Sequence, residues 1–293
     1  MTLTTTFHPP EESEDSGPVR PAEQPTIAGL LIRDDELFIR MTLAERLQHA
    51  ILISCFVLLV LTGLPLLTKP TSDTEGLFIF DWGFRLRGIL HRIGGVGLIT
   101  VSLFHLCYIT FTRRGREILL ALLPKFKDAT DALQAFGHNL GFSQWLYRKG
   151  ILKNFFDLYP FWLFAEAPLY GRYNFIEKFE YLALIWGNFV MILTGFFLWT
   201  TNLSLRLFPL WIYDIFKIVH GYEAILAFLA IIVWHLYNVH LSQGVFPMSK
   251  VWLNGKISGR ELREHHFLEY QSILEKRRRQ KELMHNSDLE SLS

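Results

Sequence analysis

The chain has 293 residues, of which 50% are hydrophobic and 15% aromatic, and its formal net charge at pH 7 is +1. This composition is more apolar and aromatic than that of a typical soluble protein, and the near-neutral charge gives no indication of nucleic-acid binding. The two cysteines, Cys55 and Cys107, lie within apolar stretches and are interpreted as small apolar side chains.

The first 40 residues are polar and differ in composition from the rest of the chain. They contain several prolines and an acidic run of Glu11, Glu12, Glu14 and Asp15. They lack the basic segment followed by an apolar segment that marks a cleavable signal peptide. We therefore predict a disordered N-terminal extension over residues 1–40.

Four apolar segments follow, and each is long enough to cross a hydrocarbon core of about 30 Å, which takes about 20 residues. They run approximately over residues 43–67, 88–112, 178–199 and 213–241. The sequence therefore predicts an all-α integral membrane protein, with a four-helix transmembrane bundle at residues 41–248 and a C-terminal tail at residues 249–293.

A long loop of about sixty residues, 113–174, joins the second and third apolar segments. Its apolar residues Ile118, Leu119, Leu122, Leu123 and Phe126 recur at helical spacing beside lysines. This pattern indicates an amphipathic helix on the membrane surface. A loop that packs on the bundle is an equally good interpretation.

The basic residues indicate how the bundle is oriented. The side that holds the two short loops carries six of the 29 lysines and arginines, and the remainder lie with the termini and the long loop. The positive-inside rule then places both termini in the cytoplasm. We expect the membrane to be a bacterial inner membrane. On this orientation the long loop and the C-terminal tail are cytoplasmic.

Histidines inside the apolar segments are the most informative residues. His91 and His105 lie in the second segment, His220 and His235 in the fourth, and His49 near the start of the first. Ionisable residues are costly within a bilayer and are usually functional. The rise of about 1.5 Å per residue separates each pair by roughly 21–22 Å along its helix. Two layers of facing histidines predict bis-imidazole ligation of two haems stacked across the membrane.

Glycines near these histidines fit a flat macrocycle. A missing side chain lets a porphyrin edge approach the backbone, although small residues are also ordinary contacts between membrane helices. The residues concerned are Gly63, Gly94, Gly95, Gly97, Gly195 and Gly221. The chain has no C-x-x-C-H motif, so it lacks the signature for covalent attachment of a c-type haem.

Five short motifs carry a resemblance to a known family. They are ERLQH ending at His49, GILH ending at His91, IVH ending at His220, WHLY around His235, and RYN ending at Asn174. The chain resembles the cytochrome b (gamma) subunit of membrane-bound formate dehydrogenase, a family related to the b-type cytochromes of nickel–iron hydrogenases. The resemblance extends from the first helix to about residue 276, without most of the long loop.

The resemblance implies a set of site residues. His91 and His220 correspond to the ligands of the periplasmic-side haem, and His49 and His235 to those of the cytoplasmic-side haem. Asn174 matches an asparagine near the bound quinone. This chain has one extra residue between its two histidines in the fourth helix, and Ile176 replaces a glycine of the quinone segment.

His105 departs from the family pattern because it adds a third histidine to the cytoplasmic layer. Helix symmetry favours His105 with His235 as the ligands of that haem, whereas the resemblance favours His49 with His235. An unligated His105 could bind a propionate or relay protons to quinone. The histidines outside the bundle are interpreted as solvated surface: His138, His265, His266 and His285.

The expected function is transmembrane electron transfer by a membrane-anchoring cytochrome b subunit with two haem b groups. It would link a quinone, menaquinone or ubiquinone, to a catalytic or electron-transfer subunit of a membrane-bound oxidoreductase complex. That partner would be formate dehydrogenase-like, hydrogenase-like or a multihaem cytochrome, and the sequence leaves the direction of transfer open. The alternatives are a non-haem carrier of metal ions or protons and a haem-free membrane anchor.

Overall fold

The computed structural model describes residues 31–66, 84–139, 167–242 and 245–291. Within these ranges four helical segments are long and apolar enough to span a membrane: Leu43–Gly63, Leu86–Phe111, Phe175–Trp199 and Leu210–Leu241. The predicted all-α membrane architecture is confirmed. We call these segments the first to fourth spans.

The first span begins with a well-formed cap. Helix α1 (Leu43–Gly63) starts at Thr42, whose hydroxyl accepts from the backbone N–H of Glu45 while the Glu45 carboxylate accepts from the backbone N–H of Thr42. This reciprocal capping box satisfies two backbone donors at the helix start. A short 3₁₀ turn, Leu64–Leu66, follows α1. Helix α2 (Phe84–Phe111) forms the second span.

The predicted amphipathic helix between the second and third spans is present as two helices. They are α3 (Arg113–Leu122) and α4 (Phe126–Asn139). The sequence pattern continued to Phe126, but the chain bends between the two helices at Pro124, which has no N–H to donate to a continuing helix. Residues 140–166 of the predicted loop lie outside the described residues.

The third and fourth spans form a second helical hairpin. Helix α5 (Phe175–Trp199) is followed by the short α6 (Thr201–Leu207) and then by α7 (Leu210–Leu229). The fourth span continues beyond α7 as two π-helical turns, Ala230–His235 and Tyr237–Leu241. Turns of this kind occur mostly as local widenings of α-helices and are frequent at functional sites.

The tail adds helices and a two-stranded sheet. The tail elements are α8 (Val251–Asn254), β2 (Lys256–Ser258), α9 (Gly259–His265) and α10 (Phe267–Ser291). Strand β2 pairs antiparallel with β1 (Leu37–Ile39), which lies within the last ten residues of the predicted extension. Residues 1–30 of that extension lie outside the described residues. Gly255 precedes β2 with a φ of 76°, a conformation that glycine adopts without strain.

Packing within residues 33–273, one of the two compact units of the chain, sets the position of the histidines. Helix α1 packs mainly on α2, and α5 packs mainly on α7, so the bundle consists of two helix pairs. Many large apolar side chains of the spans are exposed, such as Phe104, Phe189 and Leu226. Exposed apolar surface of this extent is typical of helices that face lipid.

Candidate functional site

The structure brings four of the predicted histidines together in two pairs. The ring centroids of His91 and His220 lie 6.3 Å apart, and those of His49 and His235 lie 6.5 Å apart. We call these the first pair and the second pair. Two imidazoles that bind one metal ion through bonds of about 2 Å hold their centroids roughly 6.4 Å apart. Both centroid distances therefore fit two imidazoles that bind one metal ion.

Threonine hydroxyls orient both rings of the first pair. Thr62 Oγ1 lies 3.0 Å from His91 Nδ1, and Thr194 Oγ1 lies 2.8 Å from His220 Nδ1. Each hydroxyl donates its own proton to a backbone carbonyl of the preceding turn, at 2.6 and 2.7 Å. The threonine oxygens must then accept from the Nδ1–H groups. This tautomer leaves both Nε2 lone pairs available to a metal ion.

The glycine that follows each of these threonines makes room for the same ring. A Cβ at Gly63 would lie 2.9 Å from His91 Cε1, and a Cβ at Gly195 would lie 3.1 Å from His220 Cε1. The sequence predicts that these two glycines make space for a porphyrin edge. In the structure their immediate neighbour is the imidazole itself, so each Thr-Gly sequence both binds and accommodates a histidine of the adjacent helix.

The glycines of α2 have a different environment. A Cβ at Gly94 would lie 3.0 Å from Leu59, and a Cβ at Gly97 would lie 2.6 Å from the Cys55 sulfur. Both are therefore close contacts between α1 and α2, which is the ordinary role of small residues in membrane helices. A Cβ at Gly95 would meet nothing within 4 Å.

A carboxylate orients one ring of the second pair. Glu180 Oε2 lies 3.0 Å from His235 Nδ1, and Glu180 Oε1 accepts from Asn238 Nδ2 at 3.0 Å. His49 has a different environment, because its buried Nδ1 has no hydrogen-bond partner in the described part of the chain. The Trp252 ring lies 6.4 Å from the His49 ring, centroid to centroid, and covers it edge-on.

The ring nitrogens of His105 contact side chains other than histidines. Its Nδ1 lies 3.0 Å from Gln48 Oε1, and its Nε2 lies 3.0 Å from the Tyr181 hydroxyl. Both ring nitrogens thus have protein partners on the first and third spans. A nitrogen that accepts from a hydroxyl has no lone pair left for a metal ion.

The π-helical turns account for the spacing of the histidines in the fourth span. In a regular α-helix the 15-residue step from His220 to His235 leaves an angular offset of about 60°. The turn Ala230–His235 has i→i+5 bonding, which holds an additional residue. The turn therefore changes the angular offset between the two histidines, and the His220 and His235 rings lie next to those of His91 and His49.

Asn174 is the N-cap of α5. Its Oδ1 accepts from the backbone N–H of Glu177 at 2.8 Å, and the Glu177 carboxylate accepts from the backbone N–H of Asn174 at 2.8 Å. The cap uses the side-chain oxygen, and the side chain also carries an amide nitrogen that can donate hydrogen bonds.

An apolar cleft of about 370 Å³ lies directly beside this helix start. Small-molecule sites typically occupy about 300–1,000 Å³ and are mostly apolar. The cleft runs between α4, α5 and the first π-helical turn, and Trp234, which precedes His235, lines it. Other residues that line it are Pro124, Phe175, Ile176, Lys178 and Phe179.

A salt bridge holds α4 against α5 at this cleft. Lys178 Nζ lies 2.7 and 2.9 Å from the two carboxylate oxygens of Asp128. Burial raises the pKa of Asp128, but the hydrogen bonds from Lys178 and the Lys125 backbone outweigh burial and leave the pKa below its usual value. Asp128 is therefore held as a carboxylate at neutral pH.

A second ionic cluster lies outside the spans. Arg40 Nη1 lies 2.6 Å from Glu269 Oε2, and Arg172 Nη1 lies 3.0 Å from Glu269 Oε1. His266 donates from Nδ1 to the Gly171 carbonyl at 2.9 Å, and its Nε2 faces Arg40 at 3.4 Å. His266 is 8% exposed, so the interpretation of this histidine as solvated surface was wrong. Burial, with the adjacent Arg40 charge, lowers the pKa of His266 to about 3.

The residues that orient the histidines were not predicted from the sequence. Thr62 and Thr194 contact His91 and His220, Glu180 contacts His235, and Asn238 contacts Glu180. The Thr-Gly sequence repeats in the first and third spans, but such a repeat does not show which faces of two helices meet. Glu180 did offer a signal, because a carboxylate near a span end is costly unless it is paired.

Comparison with known proteins identifies the family of this chain. The sequence profile of the family described as prokaryotic cytochrome b561 matches residues 40–246, which include all four spans. A search of curated proteins finds no match. The matched family indicates a membrane b-type cytochrome in electron transfer, with b-type haem as its cofactor. Since the match covers more than half of the chain, the protein belongs to the prokaryotic cytochrome b561 family.

Proposed function

We propose that the chain is a di-haem cytochrome b subunit that carries electrons across the membrane between a redox partner and the quinone pool. The observation that carries this proposal is the presence of two separate histidine pairs, with ring centroids 6.3 and 6.5 Å apart. The pairs are separated by roughly 22 Å along the fourth span. That spacing suits one haem in each half of a bilayer.

Three of the four proposed ligands have a protein partner on Nδ1, and this supports iron binding through Nε2. The partners are the two threonines of the first pair and Glu180 of the second pair. A different observation supports His49 over His105 as the fourth ligand, because the ring centroid of His49 lies 6.5 Å from that of His235. His49 has an unpartnered buried nitrogen within the described residues, whereas both nitrogens of His105 are already bonded.

A bound haem b supplies reversible one-electron chemistry. The residues of this chain hold three of the four imidazoles in one tautomer, set the distance between the two layers, and surround both layers with apolar helices. Such surroundings tune the redox potential of a metal site and limit the access of water.

We assign the quinone site to the cleft beside Asn174. The cleft is mainly apolar, and it is lined by Phe175, which follows the Asn174 cap, and by Trp234, which precedes His235 of the second pair. A mainly apolar cleft close to an amide donor matches an isoprenoid quinone, whose single polar end carries the carbonyls. Menaquinone and ubiquinone share this chemistry.

The resemblance supports the proposed partner, and the charges support the proposed orientation. We propose that the redox partner is a formate dehydrogenase-like or hydrogenase-like subunit, or a multihaem cytochrome, on the side of the two short loops. The excess of basic residues near the termini supports a cytoplasmic location of both termini in a bacterial inner membrane.

The test is the haem content of the purified protein and of three variants. We expect about two haem b per chain in the wild type, one in His91→Ala and one in His49→Ala, measured by pyridine haemochrome. His105→Ala is the matched control and should keep both haems. If the wild type carries no haem b, the proposal fails, and the protein is a membrane anchor or a non-haem carrier. Loss of a haem in His105→Ala but not in His49→Ala would refute the ligand assignment alone.

A further inference from the structure

The two histidine pairs differ in the hydrogen-bond acceptors behind their rings. Both rings of the first pair donate from Nδ1 to neutral threonine hydroxyls, Thr62 and Thr194. In the second pair, His235 donates from Nδ1 to the Glu180 carboxylate at 3.0 Å. Glu180 comes from the third span, and its side chain is 20% exposed, so water screens the contact only partly.

A carboxylate is a stronger acceptor than a hydroxyl, and its hydrogen bonds are roughly twice as strong as neutral ones. When it accepts from the Nδ1–H of a metal-bound imidazole, it raises the basicity of the ligating nitrogen. A more basic ligand stabilises ferric iron relative to ferrous iron and lowers the reduction potential. Hydrogen bonding to ligands and burial are among the means by which a protein sets such potentials.

We propose that Glu180 is a positioning residue that lowers the midpoint potential of the haem at the second pair, without an equivalent effect at the first pair. The inference rests on the proposed di-haem function and deepens it. It attributes a difference in midpoint potential between the two haems to one side chain on the third span.

Asn238 reduces the effect of Glu180 on the midpoint potential. Its side-chain N–H donates to Glu180 Oε1 at 3.0 Å, while Oε2 serves His235. A carboxylate that receives two donors shares its negative charge between them. Removal of the Asn238 donor therefore strengthens the bond to His235 and lowers the midpoint further. This negative shift is opposite in sign to the positive shift expected when Glu180 itself is replaced by a neutral residue.

The experiment compares Glu180→Gln with the wild type and with Asp214→Asn. Glutamine has the shape of glutamate and keeps an acceptor oxygen, but it removes the charge. Asp214 pairs with Lys217 and is 53% exposed, so its substitution makes the same change in net charge on solvent-accessible surface. Haem content is measured first, and the haem absorbance is then titrated against ambient potential.

In Glu180→Gln we expect both haems to remain and one midpoint to move in the positive direction. The ferric-to-ferrous ratio of that haem at a fixed ambient potential should fall about tenfold, which corresponds to about 59 mV for one electron. The other midpoint should stay in place, and neither should move in Asp214→Asn. Asn238→Ala should move the same midpoint in the negative direction.

Three results separate the proposal from the function on which it rests. Unchanged midpoints in Glu180→Gln, with both haems retained, would overturn the role of Glu180 and leave the di-haem function intact. Equal shifts of both midpoints would also overturn it, because they would indicate a general charge effect. A wild type without haem b would overturn the proposed function itself. If Glu180→Gln loses a haem, Asn238→Ala decides: a negative shift supports the role, and no shift overturns it.

Discussion

At the scale of single residues, the orientation of the imidazoles depends on side chains that are unremarkable in the sequence. Thr62 and Thr194 are 1% and 5% exposed, and each has a hydroxyl that donates to its own helix while it accepts from a histidine of the next. Partners of this kind fix the tautomer of a ligating histidine and affect metal binding nearly as strongly as the ligand. The threonines therefore belong to the candidate site as much as the histidines do.

Thr194→Val tests this role. Valine has the shape of threonine but no hydroxyl, so the Nδ1–H of His220 loses its acceptor. We expect one of the two haems to pass to excess apomyoglobin roughly tenfold faster than in the wild type, since loss of such a partner costs about 10–100-fold in metal affinity or activity. The control is Thr110→Val, because the exposed Thr110 hydroxyl bonds to the Leu106 carbonyl of its own helix. Equal rates in both variants would contradict the proposed role.

At the scale of secondary-structure elements, two local features adapt the helices to the site. The π-helical turn Ala230–His235 accommodates the odd spacing of the fourth span. The capping box at Asn174 starts the third span beside the apolar cleft. Each feature depends on hydrogen bonds within a short stretch of the chain. The π-helical turn positions His235, and the capping box positions Asn174.

Two substitutions at Asn174 separate its capping role from its proposed quinone contact. Aspartate retains an oxygen for the backbone N–H of Glu177 but has no amide donor, whereas alanine has neither group. We expect both variants to slow quinone-linked electron transfer, and only Asn174→Ala to lower unfolding stability, by about 1 kcal/mol. Haem spectra serve as the control for folding. Wild-type quinone kinetics in Asn174→Asp would show that the residue is only a cap.

At the scale of the whole molecule, segments that are distant in sequence meet in the ionic cluster around Arg40. Arg40 precedes α1, Arg172 precedes α5, and Glu269 lies in α10. Buried ion pairs are not by themselves evidence of large stabilisation, but removal of one partner leaves an uncompensated charge. The cluster thus ties three chain segments to one position at the same end of the bundle.

His266 gives this cluster a measurable pH dependence. Burial and Arg40 lower its folded-state pKa to about 3, against about 6.5 in an unfolded chain. The unfolded state therefore binds an additional proton between these values, so the stabilisation is complete above about pH 6.5 and decreases as the pH falls. A substitution of His266 alone leaves the neighbouring charged groups unchanged, and these are Arg172, His265 and Glu269.

The expected loss is roughly 1.4 kcal/mol of unfolding free energy per pH unit below about pH 6.5. His266→Gln lacks this titration and should be less pH-dependent by that amount. Unfolding in detergent at pH 7 and pH 5.5, for both proteins, measures the difference. An identical pH dependence of the two proteins would show that His266 does not contribute it.

The sequence determined the membrane architecture, because a length of apolar residues that matches the bilayer thickness is a local property of the chain. It also singled out the histidines, since an ionisable group within such a segment is costly wherever the helix packs. The burial of residues in the C-terminal tail could not be predicted in this way. His266 looks like a surface residue in a polar segment, and its burial depends on Arg40 and Gly171, which are distant in the chain.

The pairing of the histidines and the contacts that orient them depend on how the helices pack. His49 and His105 are equivalent in depth along their helices, but Gln48 and Tyr181 occupy both nitrogens of His105, and Trp252 packs against His49. The contacts of Thr62, Thr194 and Glu180 join different spans, and helical periodicity does not specify which faces of two helices will meet. Hydrogen bonds between side chains on separate helices depend on that packing, and for this reason the sequence alone could not reveal them.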